Sequence, residues 1–587
     1  MQQADVVPVI IVGGGPVGLT SSILLSLRDI PHILFERHPD TSIHPKACGI
    51  NQRTSEIFRA IGVEDEVCQQ AAPMPIAGRT AWYTSLGEDG REIISRDAWG
   101  GGQYADEYAT FSPSRYCILP QIRLEPILKR RAIELNPEGV VFNAEVLDVR
   151  NENDRVRVKV NFRGKSANSN SAEFSTQYVL IADGGRKFTE QLGIKWLGEP
   201  NLFDMVTAHI RSPLRSFHPD PRNFMTWFIN PDMGGSTRTG YLYQIGPWSS
   251  NSPDEDEWVF ACGVIESDPR QFDEPTMLDR LRGVVGIPDL PAKLISLSHW
   301  NVNAVYAEKW RLGRVFLVGD SAHKVPPWGA LGMNSGIQDA QNLVWKLQLA
   351  LQDKGKYDRL LDTYETERLD IGRRVGLTSL HNMRSHSNVM DAALGITVDQ
   401  SAQKNREELA SFFDPSHPDY SKKRAAVKRA QDTLDIEFKA PGFEVGWFYP
   451  SVDISGEGGD THGGQQNADG SLNSHYYFPS TIPGHHLPHV VLRKTNETVP
   501  IRDLLKLNKL VLFTEELRPE VLQDRRIHVE IVGPQGWQDT SGDWQRLCQG
   551  AAVLVRPDGI VAWRGQLKDW TFASWTKLID TVLLASH

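Results

Sequence analysis

The 587-residue sequence predicts an α/β protein of two or three domains, with an N-terminal βαβ unit and, further along, a mixed sheet. Three observations lead to this class. The run VVPVIIVGGGPVGLTSSILLSLRDIPHILFERH reads as strand, glycine turn, amphipathic helix and strand. From about residue 160 to 310, short runs of alternating apolar and polar residues are broken by Pro, Gly, Asn and Asp, the pattern of sheet strands. The length itself exceeds one core, since single cores stop growing near ~250–300 residues.

In the first unit, Gly13, Gly15 and Gly18 form GxGxxG between strand and helix, and Glu36 closes the next strand. Residues without Cβ let the chain turn sharply and bring backbone N–H groups to a pyrophosphate at the helix N-terminus, while the acid bonds the adenosine ribose. This is a Rossmann-type dinucleotide site, and FAD and NAD both satisfy it. The middle runs YLYQIG and WVFACGV read as strands of the mixed sheet.

A second glycine loop, GDSAHKVPPWGALGMNSGIQDA, follows the strand GRVFLV. Asp320 at that strand's end is placed to accept hydrogen bonds from a polyol, which FAD has in its ribityl chain and NAD lacks. The prolines and bare amides then lead into a helix beginning near Asn334, whose positive end suits an anion such as reduced flavin. The two loops together predict one FAD lying across both.

Helical spacing continues through GIQDAQNLVWKLQLALQDKG and YDRLLDTYETERLDIGRRVGLTSLHN. The stretch 455–471, SGEGGDTHGGQQNADGS, reads as a flexible connector. Beyond it, strands are expected at KLVLFT, IHVEIVG and AAVLVRPDGIVAWRG, the last turning back at Asp558-Gly559.

A net charge of −10 gives no footprint for nucleic acid, though it leaves room for a locally basic cleft. Cys48, Cys68, Cys117, Cys262 and Cys548 never reach CxxC or zinc spacing, so reduced thiols and no metal are expected. The N-terminus lacks a basic n-region and a membrane-length apolar run, so a cytoplasmic protein without a membrane partner is expected.

These motifs carry a resemblance. VGGGPVGL, HPKACGINQRTSEIFRAIGV, LPQIRLEPIL, ADGG, the second loop and LLDTYETER resemble class A FAD-dependent aromatic hydroxylases, the para-hydroxybenzoate hydroxylase-like family. TIPGHHLPHVVL and AAVLVRPDGIVAWRG resemble the thioredoxin-like third domain of its phenol hydroxylase and polyketide hydroxylase branch. The resemblance implies an FAD-binding domain interleaved with a substrate domain over 1–400, with the substrate sheet at roughly 80–115 and 190–305. A helical segment and glycine-rich connector would occupy 401–475, and a thioredoxin-like domain without CxxC 476–587, suited to packing or to forming a homodimer.

The same resemblance implies roles. Lys46 lies near the FAD pyrophosphate, Gln121 beside the flavin, and Arg37 along adenosine; Val146 touches adenine through its backbone. Asp320 binds the ribityl chain, Pro327 lies near flavin C4a, and Gly332, Met333 and Asn334 contact the pyrimidine edge. The implied cycle is reduction of FAD by NAD(P)H, with NADPH the expected form, capture of O2 as a C4a-hydroperoxide, and hydroxylation of a phenolic or polyketide-type aromatic substrate.

Two departures stand out. GRKFTEQLGI follows Asp183-Gly184 where the family places a small hydroxyl residue and Val-Arg, and Cys48 replaces the acid of phenol hydroxylase-like members. A phenol of ordinary pKa is ionised about one part in 10³ at neutral pH, a penalty of roughly 4 kcal/mol if the phenolate reacts. Candidates to offset it are Arg238, Tyr241 and Tyr243 in STRTGYLYQIG, where strand alternation puts both tyrosines on one face. His44 and His323 are less apt, His323 being read as structural. Baeyer–Villiger or epoxidising chemistry on the same scaffold, and a non-catalytic flavin-binding scaffold, are the competing readings.

Overall fold

The computed structural model describes residues 6–73, 77–163, 170–248, 252–264, 272–450, 461–518, 521, 523–567 and 570–586. VPVIIV at Val7–Val12 is apolar throughout because both faces of the strand are covered, and Val9, Ile10 and Ile11 are fully buried. It pairs in parallel with His32–Phe35 on one side and Asn170–Ile181 on the other. Val315–Leu317 and Val140–Val141 extend the parallel set outward. The hairpin of Ala144–Asn151 and Val156–Phe162 and the short edge strand Arg311–Leu312 complete eight strands. Only one strand separates Val7–Val12 from Val315–Leu317, so the two glycine loops leave the same edge of the sheet side by side.

A second eight-stranded sheet runs in the order His323–Lys324, Lys293–Ala307, Trp196–Arg211, Glu257–Gly263, Tyr241–Gly246, Asn223–Phe228, Arg79–Tyr83, Glu92–Asp97. Its pairs are antiparallel except Asn223–Phe228 with Arg79–Tyr83, which makes it mixed. Alternation holds along Tyr241–Gly246: Tyr241, Tyr243 and Ile245 pack into one apolar cluster and Leu242 into another.

The helices Gly332–Gln352 and Lys354–Ser385 pack against each other, and the second runs into a π-helical turn, His386–Asp391. Helices Ala402–Phe413 and Tyr420–Thr433 follow. Of the glycine-rich stretch, residues 455–460 lie outside the described set. Its remainder is anchored: Gln465 is fully buried and its Nε2 donates to the carbonyls of Asn473 (2.9 Å) and Tyr476 (3.1 Å).

The C-terminal sheet orders Ile527–Ile531, Leu510–Thr514, Ala552–Val555 and Val561–Gly565, the first pair parallel and the others antiparallel, with helix Phe572–Val582 packed beside it. Its hairpin turns at Gly559, whose φ of 81° only glycine adopts freely. That hairpin docks on the long helices through buried charge. Arg556 forks onto both Glu367 oxygens (2.7 and 2.9 Å) and onto Asp558, while Lys346 donates to Glu367 (2.8 Å). Burial pulls the Lys346 ammonium down to about 8, against the attraction of Glu367. Among the described residues no helix is long and apolar enough to cross a membrane, and no cluster of His, Cys, Asp or Glu is placed to hold a metal.

Candidate active site

One cavity of about 1090 Å³ begins at the first glycine loop, passes the second and ends among aromatic side chains of the mixed sheet. Of the residues singled out from sequence, Gly13, Gly15, Glu36, Arg37, Lys46, Gln121, Val146, Asp320, Pro327, Gly332, Met333, Tyr241 and Tyr243 line it. Gly18, Asn334 and Arg238 are not among its lining residues.

The three glycines of the first loop do different work. A Cβ on Gly13 would fall 2.3 Å from the Ala182 carbonyl oxygen, and one on Gly18 would fall 2.0 Å from that of Gly13. Both therefore allow backbone to approach backbone. A Cβ on Gly15 would meet nothing within 4 Å, so Gly15 keeps a space open at the start of helix Pro16–Ser26. Glu36 is already oriented, accepting from the N–H of Gly14 (2.7 Å) and of His38 (2.8 Å). Arg37, Lys46, Arg186, Lys187 and Lys324 line the cavity, interspersed with acids such as Asp40, Glu125, Glu145 and Asp183.

In the second loop Asp320 stands in the cavity. Desolvation raises its pKa, opposed by His323, Lys46, Lys324 and Arg186. The loop is pinned from behind by Asp339, which accepts from the Gly319 N–H (3.1 Å), from Arg368 Nε (2.7 Å) and shares a hydrogen bond with His323 (3.0 Å). His323, Asp339 and Arg368 have no exposed surface, which gives His323 a structural place. Burial alone would raise the Asp339 carboxyl, yet Arg368 and His323 outweigh it and hold it below the usual range.

Helix Gly332–Gln352 begins slightly ahead of the expected Asn334, with no side-chain cap. Helix Pro16–Ser26 is likewise uncapped, and both N-termini border the same cavity. Unpaired first-turn N–H groups suit anions. The arrangement fits a cofactor with one anionic group at its middle and another at its far end, as FAD has in its pyrophosphate and flavin edge. Asn334 acts differently from the other two expected pyrimidine-edge contacts. Its side chain accepts from Asn51 N (3.0 Å) and donates to Gly49 O (2.9 Å) and Ala330 O (2.6 Å), clipping the cavity wall together. Lys46 and Ala330, at φ 51° and 53°, hold left-handed backbone that side chains disfavour, the kind of strain found at functional sites.

At the far end Phe224, Trp227, Tyr241, Tyr243, Trp328 and Phe438 form aromatic walls. Tyr241 and Tyr243 stack at 12° with centroids 6.1 Å apart, and the Tyr243 hydroxyl donates to the Lys46 carbonyl (3.4 Å). Burial raises both phenols above their ordinary pKa, so both remain protonated at neutral pH. Burial also pushes the Cys48 thiol up to about 12. Arg238, singled out together with the two tyrosines, is placed apart from them and is not brought into the chamber. Ser236–Thr239 is a helical turn between Gly235 (φ 124°) and Gly240 (φ 112°), and Arg238 lies outside the lining while its carbonyl accepts from Arg280.

The GRKFTEQLGI departure is absorbed locally. Asp183 accepts from the N–H groups of Gly185 (3.0 Å), Lys187 (2.9 Å) and Phe188 (3.2 Å), and from Ser321 Oγ (2.8 Å), tying the segment to the second loop. Asp339 and Arg368 sit in stretches whose sequence pattern stood out, but their partnership needed the fold to become visible.

Residues 6–378 match the family described as FAD binding domain, and residues 480–583 match that described as aromatic-ring hydroxylase, C-terminal. The chain is 30% identical over 583 residues to phenol 2-monooxygenase of Pseudomonas sp. (strain EST1001), covering 95% of this chain and 90% of that one. It is 29% identical over 597 residues to tetracenomycin A2 monooxygenase-dioxygenase of Streptomyces glaucescens, covering 96% and 94%. The solved structure of the flavin-dependent monooxygenase PieE in complex with FAD and substrate aligns with a TM-score of 0.87 at 28% identity, over 99% of each chain. With two uncapped helix ends facing one cavity and a family match over more than half its length, the chain belongs to the FAD-dependent aromatic-ring hydroxylases.

Proposed function

We propose that the protein is an FAD-dependent monooxygenase that hydroxylates a phenolic, multi-ring aromatic compound of polyketide type, using NAD(P)H and O2. The observation that carries this reading is the continuity of the cavity from the dinucleotide loop to an aromatic chamber. Bound FAD, once reduced by NAD(P)H, supplies the chemistry that activates O2 and delivers one oxygen atom to the ring.

The chain's own residues hold and orient the reactants. Gly15 leaves room for the pyrophosphate, Lys46 would offset its charge, Arg37 would lie along adenosine, and Glu36 would meet the ribose. Asp320 takes the ribityl chain, while Gly332 and Met333 present N–H groups to the flavin's pyrimidine edge beside Pro327. Gln121 stands beside the flavin and Val146 offers backbone to adenine. The walls of Trp227, Tyr241 and Trp328 stack a flat substrate and exclude water, with Trp227 and Trp328 inclined at only 23° to each other.

The aromatic walls of the chamber and the Cys48 substitution favour several fused rings over a simple phenol. The cytoplasm as its location, a C-terminal domain that packs the long helices, and self-association into a homodimer complete the reading.

The test is NADPH oxidation by the holoenzyme against simple phenols, hydroxynaphthoquinones and hydroxyanthraquinones, with products analysed after turnover in isotopically labelled dioxygen. Stimulated oxidation and one labelled oxygen as a ring hydroxyl are expected, the multi-ring compounds giving the larger stimulation. No stimulation by any compound contradicts the hydroxylase reading, and a labelled lactone points to ring insertion instead.

A further inference from the structure

The aromatic chamber must ionise a phenol, yet the groups expected there do not serve. Tyr241 and Tyr243 are stacked, buried and protonated, Cys48 is a thiol, and His299 sits at the exposed rim. One remaining lining residue carries a carboxylate at this end. Glu437, on the short helix Asp435–Phe438, lies in the cavity wall next to Phe438.

Glu437 Oε2 shares a 2.7 Å hydrogen bond with His386 Nε2, and no described residue bonds Oε1. His386 has no exposed surface, and its Nδ1 is buried without a partner. It opens the π-helical turn His386–Asp391 at the end of the long helix, an irregularity that recurs at functional sites. The imidazole lies against Trp227, with ring centroids 4.1 Å apart, and near Trp82 (6.0 Å) and Trp328 (6.4 Å). A purely structural ion pair has no need to border the cavity, and a histidine placed only for packing has no need of a buried carboxylate.

We propose that Glu437, oriented by His386, is the base that accepts the proton of a substrate hydroxyl in the aromatic chamber. This rests on the aromatic-hydroxylation reading. The substrate O–H bond breaks, a new O–H bond forms on Glu437, and the substrate is left as an oxyanion conjugated with the ring to be attacked. The proton is held within the Glu437–His386 pair and returns to the product oxygen or to water before release. No oxidant or reductant enters this step. Glu437 touches substrate and is the catalytic residue; His386 is a positioning residue that also spreads the acquired charge.

Other ionisable groups face the pair from each neighbouring element. Asp391 lies on the same π-helical turn, where burial raises its carboxyl to about 6, and accepts from Ser236 N (2.9 Å). Tyr241 and Tyr243 come from the strand in front, and Arg96, paired with Asp435, lies on the side of Phe438. Arg96 is paired with Asp435, and neither it nor Asp391 is among the cavity's lining residues, so neither substitutes for Glu437.

The test follows hydroxylation of quinizarin, a dihydroxyanthraquinone, by FAD-loaded protein across a pH series, read as the rate of product formation and as product per NADPH oxidised. Glu437→Gln should form product about 100-fold more slowly than wild type at neutral pH, and the gap should close as pH rises toward the dye's own ionisation, where no base is needed. Glu437→Asp should recover part of the rate, and His386→Gln should give an intermediate loss. FAD content and thermal midpoint, read on the same samples, separate this from misfolding. Equal rates and equal pH profiles in wild type and Glu437→Gln overturn the role of Glu437 and leave the hydroxylase reading standing. A wild-type holoenzyme that forms no product from quinizarin contradicts the multi-ring substrate class, and this proposal with it.

Discussion

Replacing Gly15 by valine is expected to give a folded, colourless protein. The residue's backbone, at φ −77° and ψ −175°, is open to any side chain, and a Cβ there meets no atom within 4 Å. The new side chain instead enters the space where the pyrophosphate approaches the N-terminus of helix Pro16–Ser26. Losing two charge-assisted hydrogen bonds at about 1.5 kcal/mol each corresponds to roughly 100-fold weaker FAD binding. Gly18→Ala gives the contrasting result, because its methyl group must displace the Gly13 carbonyl only 2.0 Å away. That variant should lose thermal stability with or without cofactor, whereas Gly15→Val should match the apoprotein's thermal midpoint. FAD content after reconstitution and thermal melting of both apoproteins check the pair of outcomes.

Asp339→Asn should be the most damaging conservative change in the FAD-binding region. It leaves Arg368 charged and fully buried without its carboxylate, with neutral groups alone in reach: the new amide, Ser335, the Tyr449 hydroxyl and the Trp447 ring. Removing one partner of a buried pair costs about 3–5 kcal/mol. The amide's single oxygen cannot serve both Arg368 and the Gly319–His323 side, so the second loop and Asp320 lose part of their anchor. A lower thermal midpoint together with weaker FAD binding is expected, and an unchanged midpoint would show that the pair contributes little. The pH dependence has a definite sign. The native pKa of Asp339 is depressed, so its contribution is present above the unfolded-state value and is lost as pH falls through the native one. Wild-type protein at neutral pH should therefore be insensitive to this group.

The features legible in sequence are those whose chemistry is enforced locally. A glycine turn between strand and helix announces itself because only glycine tolerates Gly13's φ of 110° and the close contact at Gly18. The two tyrosines could be assigned one face because strand periodicity depends on spacing alone. Arg238 shares only closeness in sequence with them, since Gly235 and Gly240 bracket a helical turn that carries it off the strand. Those flanking glycines were the available signal. Glu437 and His386 come from segments 51 positions apart and meet only across tertiary packing. DIEFK carries no pattern that distinguishes its glutamate from an ordinary helix-surface acid. Asp339 and Arg368, on two successive helices, are likewise joined by packing rather than by spacing.

The central claim is that a single FAD spans both glycine loops, its adenosine half on the first and its flavin on the second. Titration of apoprotein with FAD and with FMN, followed by flavin fluorescence, tests it most directly. The account predicts one FAD bound per chain and FMN binding at least about 100-fold weaker, since FMN forgoes every contact with the first loop. Equal affinity for the two flavins, or no binding of either, would contradict it.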